Sequence, residues 1–246
     1  MSGVALITGG ANGIGRAVVL KLAANGFFVV IADREEAAGE EVRKTILAAG
    51  GMAEAVRVDV TKAEEIEAVV GGVFQRHGRI DILANIAGGS IHRKLIEEMS
   101  WGEWKEVLDV NLKGTFLFCR EAAPIMQRQR KGRIINTSSN YGVTGSARRT
   151  PYSAAKAGVI AFSKSLALEL APYGVLVNVV APGPTETARV MKNWTPEYIR
   201  EREKDIPLGR HGKPDDLAEA FYFLCSPESS WITGQTLHVN GGLVMP

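Results

Sequence analysis

The 246-residue chain has only two cysteines, Cys119 and Cys225. Both fall in apolar stretches of helical period, which argues against a disulfide or a thiolate metal site and for buried free thiols in a reducing compartment. An excess of one charge is also lacking, since 29 Lys and Arg oppose 27 Asp and Glu for a net charge of +2. With no face dominated by one sign, there is no reason to expect a nucleic-acid partner. The densest basic run, Arg128, Arg130, Lys131 and Arg133, follows an amphipathic stretch and reads as the solvated C-terminal end of a helix, where the dipole favours cations. No apolar run reaches the roughly 20 residues that span a bilayer. A leader needs a charged and then an apolar segment, yet a first strand is predicted from Val4. A cytoplasmic protein without a membrane partner is expected.

Also missing are a Pro/Gly/Ser-rich linker, an internal repeat and a low-complexity segment, so one domain over 1–246 is expected. Hydrophobic residues are 46% and charged residues 23% of the chain, the balance of a soluble globular protein long enough to bury a large core. What is present is alternation. Short β-branched runs at 4–8, 28–32, 53–58, 82–87, 133–137, 175–180 and 235–239 alternate with helical periods near 14–24, 35–48, 62–76, 101–129, 152–171 and 214–224. The pattern predicts an α/β fold, a doubly wound parallel sheet of about seven strands with helices on both faces. Ser100 and Glu103 have capping-box spacing, Pro151 reads as the first helical residue behind a Thr150 cap, and His77-Gly78 and Tyr173-Gly174 read as helix ends. An irregular stretch from about 182 to 213 holds Pro182, Pro184, Pro196 and Pro207 and a short helix candidate at 196–204. Its length suggests a substrate lid, over about 184–212.

The first strand runs into TGGANGIG, which sets Gly9, Gly13 and Gly15 between a strand and a helix. Position 18 is Val18, so the strict G-x-G-x-x-G spacing is not met. The physics is nonetheless that of a phosphate site: glycines allow close backbone approach, and the helix N-terminus offers free N–H groups. A bare tight turn would use the same glycines. Asp33, twenty residues after Gly13, favours the ligand reading, because a carboxylate at the end of the second strand can accept from an adenosine ribose. It can also cap the next helix. Since a carboxylate there repels a 2′-phosphate, NAD(H) is expected over NADP(H), with Arg34 next door as the opposing charge.

In YSAAK, Tyr152 and Lys156 are four apart on the helix begun at Pro151, hence on one face. An ammonium beside a phenol favours its ionised form and lowers a pKa normally near 10, which makes a general acid/base. A packed tyrosine beside an exposed lysine is the plainer reading. The setting favours chemistry: the fifth strand ends in INTSSNYG, placing Ser138 and Ser139 at the C-terminal sheet edge, where open α/β folds bind ligands. A hydroxyl there can donate to a carbonyl oxygen. His77, His92, His211 and His238 form no recognisable Ser-His-Asp set, and no metal-ligand set is expected.

Taken in order, these segments resemble the short-chain dehydrogenase/reductase superfamily, of the single-domain Rossmann-like type that includes the 3-oxoacyl-carrier-protein reductases. The match runs from the first strand to GQTLHVNGG. TGGANGIG, including Asn12 and Ile14, resembles the cofactor motif T-G-x-x-x-G-x-G. Asp59-Val60 resembles the adenine contact, and Asn85, Ile86, Ala87 and Gly88 the N-N-A-G motif with Ile86 in place of the second Asn. Asn111, Ser139, Tyr152 and Lys156 match the active-site set. Pro182, Gly183, Thr185 and Thr187 resemble the P-G-x-I-x-T segment at the carboxamide, with Thr185 replacing Ile.

The resemblance implies that Tyr152 exchanges a proton with the substrate oxygen and that Ser139 orients that oxygen. Lys156 would lower the Tyr152 pKa and bind the nicotinamide ribose, while Asn111 would hold a water of the proton relay. Asn12, where phosphate-binding relatives often carry a basic residue, leans again toward NAD. The pocket segments hold Tyr141, Arg149 and Trp194 as substrate candidates beside Ser139 and Tyr152, and either Arg148 or Arg149 can pair with an anion. The expected activity is hydride transfer between NAD(H) and a small secondary alcohol or ketone. The alternatives are an NADPH-dependent 3-oxoacyl thioester reductase and a nucleotide-sensing or scaffold protein without chemistry. A homo-oligomer, tetramer or dimer, is expected from the relatives.

Overall fold

Apolar β-branched runs form strands covered on both faces. The structure, a computed structural model, describes residues 3–192 and 194–246. Met1, Ser2 and Asn193, which fall within the expected domain and, for Asn193, the expected lid, lie outside the described residues. Seven parallel strands, β1 Val4–Thr8, β2 Phe28–Asp33, β3 Met52–Arg57, β4 Ile82–Asn85, β5 Gly132–Thr137, β6 Val175–Pro182 and β7 Thr236–Val239, pair in the order β3-β2-β1-β4-β5-β6-β7. Side chains alternate across the pleat, so Val4 and Leu6 join one core and Ala5 and Ile7 the other. The first core lies under α3 Ala63–His77, α5 Gly114–Gln129 and α7 Thr150–Leu170. The second lies under α1 Gly13–Ala24, α2 Glu36–Ala48 and α10 Pro214–Cys225. The fold is a Rossmann-like α/β sheet with helices on both sides.

The strand order reverses between β1 and β4, and the register levels Thr8 with both Ala32 and Asn85 at their C-terminal ends. A crevice opens where the crossovers leave in opposite directions, which is where such sheets bind ligands. The Thr8 hydroxyl ties the two sides together by accepting from the Ile86 and Ala87 N–H groups at 3.0 and 3.2 Å.

Several expectations shift locally. The helix expected over 101–129 is α4 Trp101–Leu108, a π-helical turn Asp109–Lys113, and α5. The Ser100–Glu103 capping box is present, with Glu103 N–H donating to the Ser100 hydroxyl at 3.2 Å. Thr150 is the first residue of α7 rather than its cap, and its hydroxyl has no partner among the described residues. Arg130 takes a left-handed φ of 54° beyond α5, and Arg133 belongs to β5, where its guanidinium donates to the Leu224 carbonyl and the Ser229 hydroxyl. The basic run is thus partly structural. Gly78 and Gly174 end their helices at φ 69° and 70°. Cys119 and Cys225 are buried free thiols, and burial pushes both up to about 12. No helix among the described residues is long and apolar enough to cross a membrane.

Candidate active site

Ser139, Tyr152, Lys156 and Asn111 converge at the C-terminal ends of β4 and β5. α7 starts just beyond β5 and runs back along it, so its first turns face that edge. The Ser138 hydroxyl donates to the Lys156 carbonyl at 2.7 Å and fixes the approach. Tyr152 is partly buried, and the Ser139 hydroxyl hydrogen-bonds to its phenol. Tyr141 N–H donates to Ser139 Oγ at 3.3 Å and orients that hydroxyl. Lys156 is 2% exposed and donates from Nζ to the Thr137 carbonyl at 2.8 Å.

Asn111 sits in the π-helical turn, fully buried, and clamps Gly89. Its Oδ1 accepts from Gly89 N–H at 2.9 Å, while Nδ2 donates to the Gly89 carbonyl at 3.1 Å and to the Val107 carbonyl at 2.9 Å. The extra residue of a π turn aims this side chain across the helix axis toward the sheet edge. Gly88, at φ 152°, lies between the two: a Cβ there would stand 2.5 Å from Asn111 Oδ1 and 3.4 Å from Lys156 Nζ.

The electrostatics differ from expectation. Burial pushes the Tyr152 pKa above its ordinary value, against the lowering effects of the Ser139 hydrogen bond, Arg189 and Arg149, with Tyr141 pushing it further up. Lys156, whose Nζ lies 5.8 Å from the Tyr152 ring, is not among these influences, and its own pKa is brought to about 7 by burial first and then by the charge of Arg189. In the protein by itself, burial therefore favours the protonated phenol.

Arg189 is the residue that sequence reasoning missed. It begins the short helix α8 Ala188–Met191 after Ala188, donates from Nη1 to the Gly88 carbonyl at 3.3 Å, and covers Gly89. A basic residue two positions after Thr187 was the available signal, but a position inside the irregular stretch gave no spatial partner for it.

The glycine turn has the shape an anion needs. Gly9 and Gly13 take φ of 67° and 52°, and a Cβ on Gly15 would overlap the Gly9 carbonyl. α1 has no side-chain cap and no acidic residue in its first turn, so its N-terminal N–H groups face the crevice uncompensated. Ile14 packs into the core under α1, and Asn12 donates to the Glu35 carboxylate at 3.3 Å. A Cβ on Gly13 would meet the Thr187 methyl at 3.1 Å, which brings the carboxamide segment over the turn. Thr185 bridges to Gly212, Pro182 accepts from Asn140 N–H, and Gly183 donates to Val239. Two buried hydroxyls at the edge, Ser90 and Thr137, have no partner among the described residues, as a site for a polar ligand would leave them. These residues fit a dinucleotide.

Other expected positions also make contacts within the protein. Asp33 accepts from Ala11 N–H at 3.0 Å and from Glu35 N–H at 3.1 Å, one bond to each oxygen, and its register partner on β3 is Arg57. Arg34 is exposed beside it. Burial works to raise the Asp59 pKa, but the Thr61 N–H and hydroxyl and the charges of Lys62 and Arg34 hold it below the ordinary value. A Cβ on Gly114 would meet the Val60 carbonyl at 2.8 Å, the close approach that seats α5. The Asn85 side chain is spent inside, donating to Asn136 Oδ1 at 2.9 Å, which leaves its backbone for a ligand. Arg149 lies 5.0 Å over the Tyr141 ring. Trp194 packs against Tyr198 and His211 in tilted ring contacts at 5.5 and 4.9 Å.

Residues 9–244 match the family model described as enoyl-(acyl carrier protein) reductase. The chain belongs to the short-chain dehydrogenase/reductase family. It is 44% identical over 245 residues to the 3-oxoacyl-[acyl-carrier-protein] reductase FabG of Aquifex aeolicus, covering 98% of this chain and 96% of the relative. The enzyme of the same name from Synechocystis is 42% identical over 98% of this chain and 97% of its own. A solved short-chain dehydrogenase/reductase structure, gox2181, superposes with a TM-score of 0.93 at 36% identity over 98% of this chain and 95% of that one. As a family member the protein is an NAD(P)-dependent oxidoreductase acting on CH–OH or keto groups, which excludes the sensor and scaffold readings. The expectation of NAD over NADP is overturned: these relatives carry the name of the reductase for which NADPH was the expected cofactor. A physical reason is that Asp33 already accepts from two backbone N–H groups and has the exposed Arg34 next to it, a cation that can offset its repulsion of a 2′-phosphate.

Proposed function

We propose that this short-chain dehydrogenase/reductase reduces the 3-oxo group of an acyl thioester with NADPH, Tyr152 giving the proton. The observation that carries the reading is the Ser139–Tyr152 pair at the sheet edge of a chain whose full-length relatives are named for this reduction. A phenol whose pKa is raised starts protonated, as a donor to a carbonyl oxygen must. Ser139 is placed to donate to that oxygen, and Lys156, near neutrality in its own titration, to restore the proton through the ribose side. Asn111 holds the Gly88–Gly89 floor at a fixed height. The uncapped α1 N-terminus would hold the pyrophosphate, Lys156 and the Thr187 segment would hold the nicotinamide ribose, and Arg34 would offer positive charge to a 2′-phosphate. When bound, the cofactor supplies the hydride.

Segment 184–212 serves as the lid in this reading, with Thr187 over Gly13 and Arg189 over Gly89 as its inner contacts. The whole chain acts as one domain, and two buried free thiols suit the reducing cytoplasm. Association with further copies is part of this reading, and the exposed Trp101, Leu168 and Trp231, at 76%, 80% and 99%, are apolar surface that it would cover. The function is tested by following reduced-nicotinamide absorbance with acetoacetyl-coenzyme A, a neutral cyclic ketone and a neutral secondary alcohol, each with both cofactors. Turnover highest for the thioester with NADPH supports the reading; turnover confined to the simple alcohol or ketone removes it.

A further inference from the structure

His211 is 1% exposed, and neither ring nitrogen has a hydrogen-bond partner among the described residues. A buried imidazole left in that state is costly unless a ligand satisfies it. Two carboxylates reach the same point. One ligand atom from each of Glu186, Glu203 and His211 lies within 4.8 Å of the others, and Glu203 stands 3.5 Å from His211 Nδ1. Nearby cations are engaged elsewhere: Lys204 with Glu201, Arg200 with Glu197, Arg202 with Asp205, and Arg210, which feels the charge of Glu186, with both oxygens of Asp216.

The three groups come from two parts of the lid. Glu186 and His211 flank a short bridge in which Thr185 pairs with Gly212 and Glu186 N–H donates to the Gly212 carbonyl at 2.8 Å. Glu203 ends helix α9 Pro196–Glu203, the outer part of the lid. Trp194 covers the imidazole, its ring 4.9 Å away, and keeps the pocket drier than a surface cluster.

The geometry points to a divalent transition-metal site, best suited to Zn²⁺, formed by Glu186, Glu203 and His211. One imidazole nitrogen and two carboxylate oxygens form a donor set that zinc takes at about 2.0–2.2 Å, with water completing a tetrahedron. The ion would tie α9 to the base of the lid, and no part of this rests on the substrate reading.

The test is calorimetric titration of ZnCl₂ into the chelator-treated, cofactor-free full chain, with trypsin cleavage of the lid as a second readout. Native protein is expected to bind one Zn²⁺ per chain, with slower cleavage within 188–204 when the ion is present. Glu203→Gln, an isosteric change at a helix end, and His211→Asn are each expected to weaken binding at least about tenfold and to abolish the protection. Glu203→Gln keeps the test decisive should His211→Asn disturb the packing under Trp194. No binding by native protein, or binding equally tight in Glu203→Gln, would overturn the site.

Discussion

The Lys156 ammonium donates to the Thr137 carbonyl at 2.8 Å, deep at the edge between β5 and α7. Burial and the charge of Arg189 bring its pKa down to about 7, against about 10.4 for an unfolded lysine. Between those values the unfolded chain binds more protons than the folded one, so stability rises with pH. The cost of the buried charge is fully present below about pH 7 and fades above it. The cofactor-free protein is expected to gain urea midpoint from about pH 7 to pH 9, and Lys156→Met to gain less. Equal gains in the two proteins would assign the titration to another group.

Arg189 lowers the pKa of both Tyr152 and Lys156. In the direction of alcohol oxidation, where the phenolate is the working form, Arg189→Met is therefore expected to move the ascending, low-pH limb of the kcat/KM profile to higher pH. An unchanged limb would mean that the guanidinium leaves the site once cofactor is bound.

Arg149 lies over Tyr141 and donates to the Ser146 hydroxyl at 2.9 Å, with its charge felt at Tyr152. Should it pair with an anionic group of the substrate, Arg149→Ala raises KM about tenfold or more for an anionic ketone and little for a neutral one of similar size. Initial rates on such a matched pair decide it, and equal changes in KM remove the anion role.

Asn111 makes three hydrogen bonds to backbone groups at full burial. Asn111→Leu leaves Gly89 and Val107 polar groups unmet and is expected to cost about 2 kcal/mol in chemical denaturation. Activity should fall further than that loss of folded protein explains, since the Gly88–Gly89 floor loses its clamp. Native-like activity per folded molecule would reduce Asn111 to packing.

The strands were legible because each is a short apolar run bounded by turn residues, and the parallel order follows from their alternation with helices. The π turn at Asp109–Lys113 was not, since helical periodicity over 101–129 continues through one extra residue. Tyr152 and Lys156 could be placed on one face from spacing alone, yet the sign of their coupling could not. It depends on how deeply Lys156 is buried and on Arg189, seventy-eight positions beyond Asn111 in the chain and adjacent in space to the same glycines. Asp33 misled for a related reason: which hydrogen bonds a carboxylate accepts is decided by the Ala11 and Glu35 amides around it. No ligand set around His211 was legible because Glu203 and Glu186 lie eight and twenty-five residues away in the chain.

Proton donation by Tyr152 is tested most directly by NADPH-dependent reduction of acetoacetyl-coenzyme A in native protein and Tyr152→Phe, with NADPH affinity measured alongside. The account predicts a fall in kcat of about a thousandfold with NADPH binding preserved. A variant that keeps a rate within about threefold of native would contradict it, because removing a group that donates in the transition state costs at least about a hundredfold.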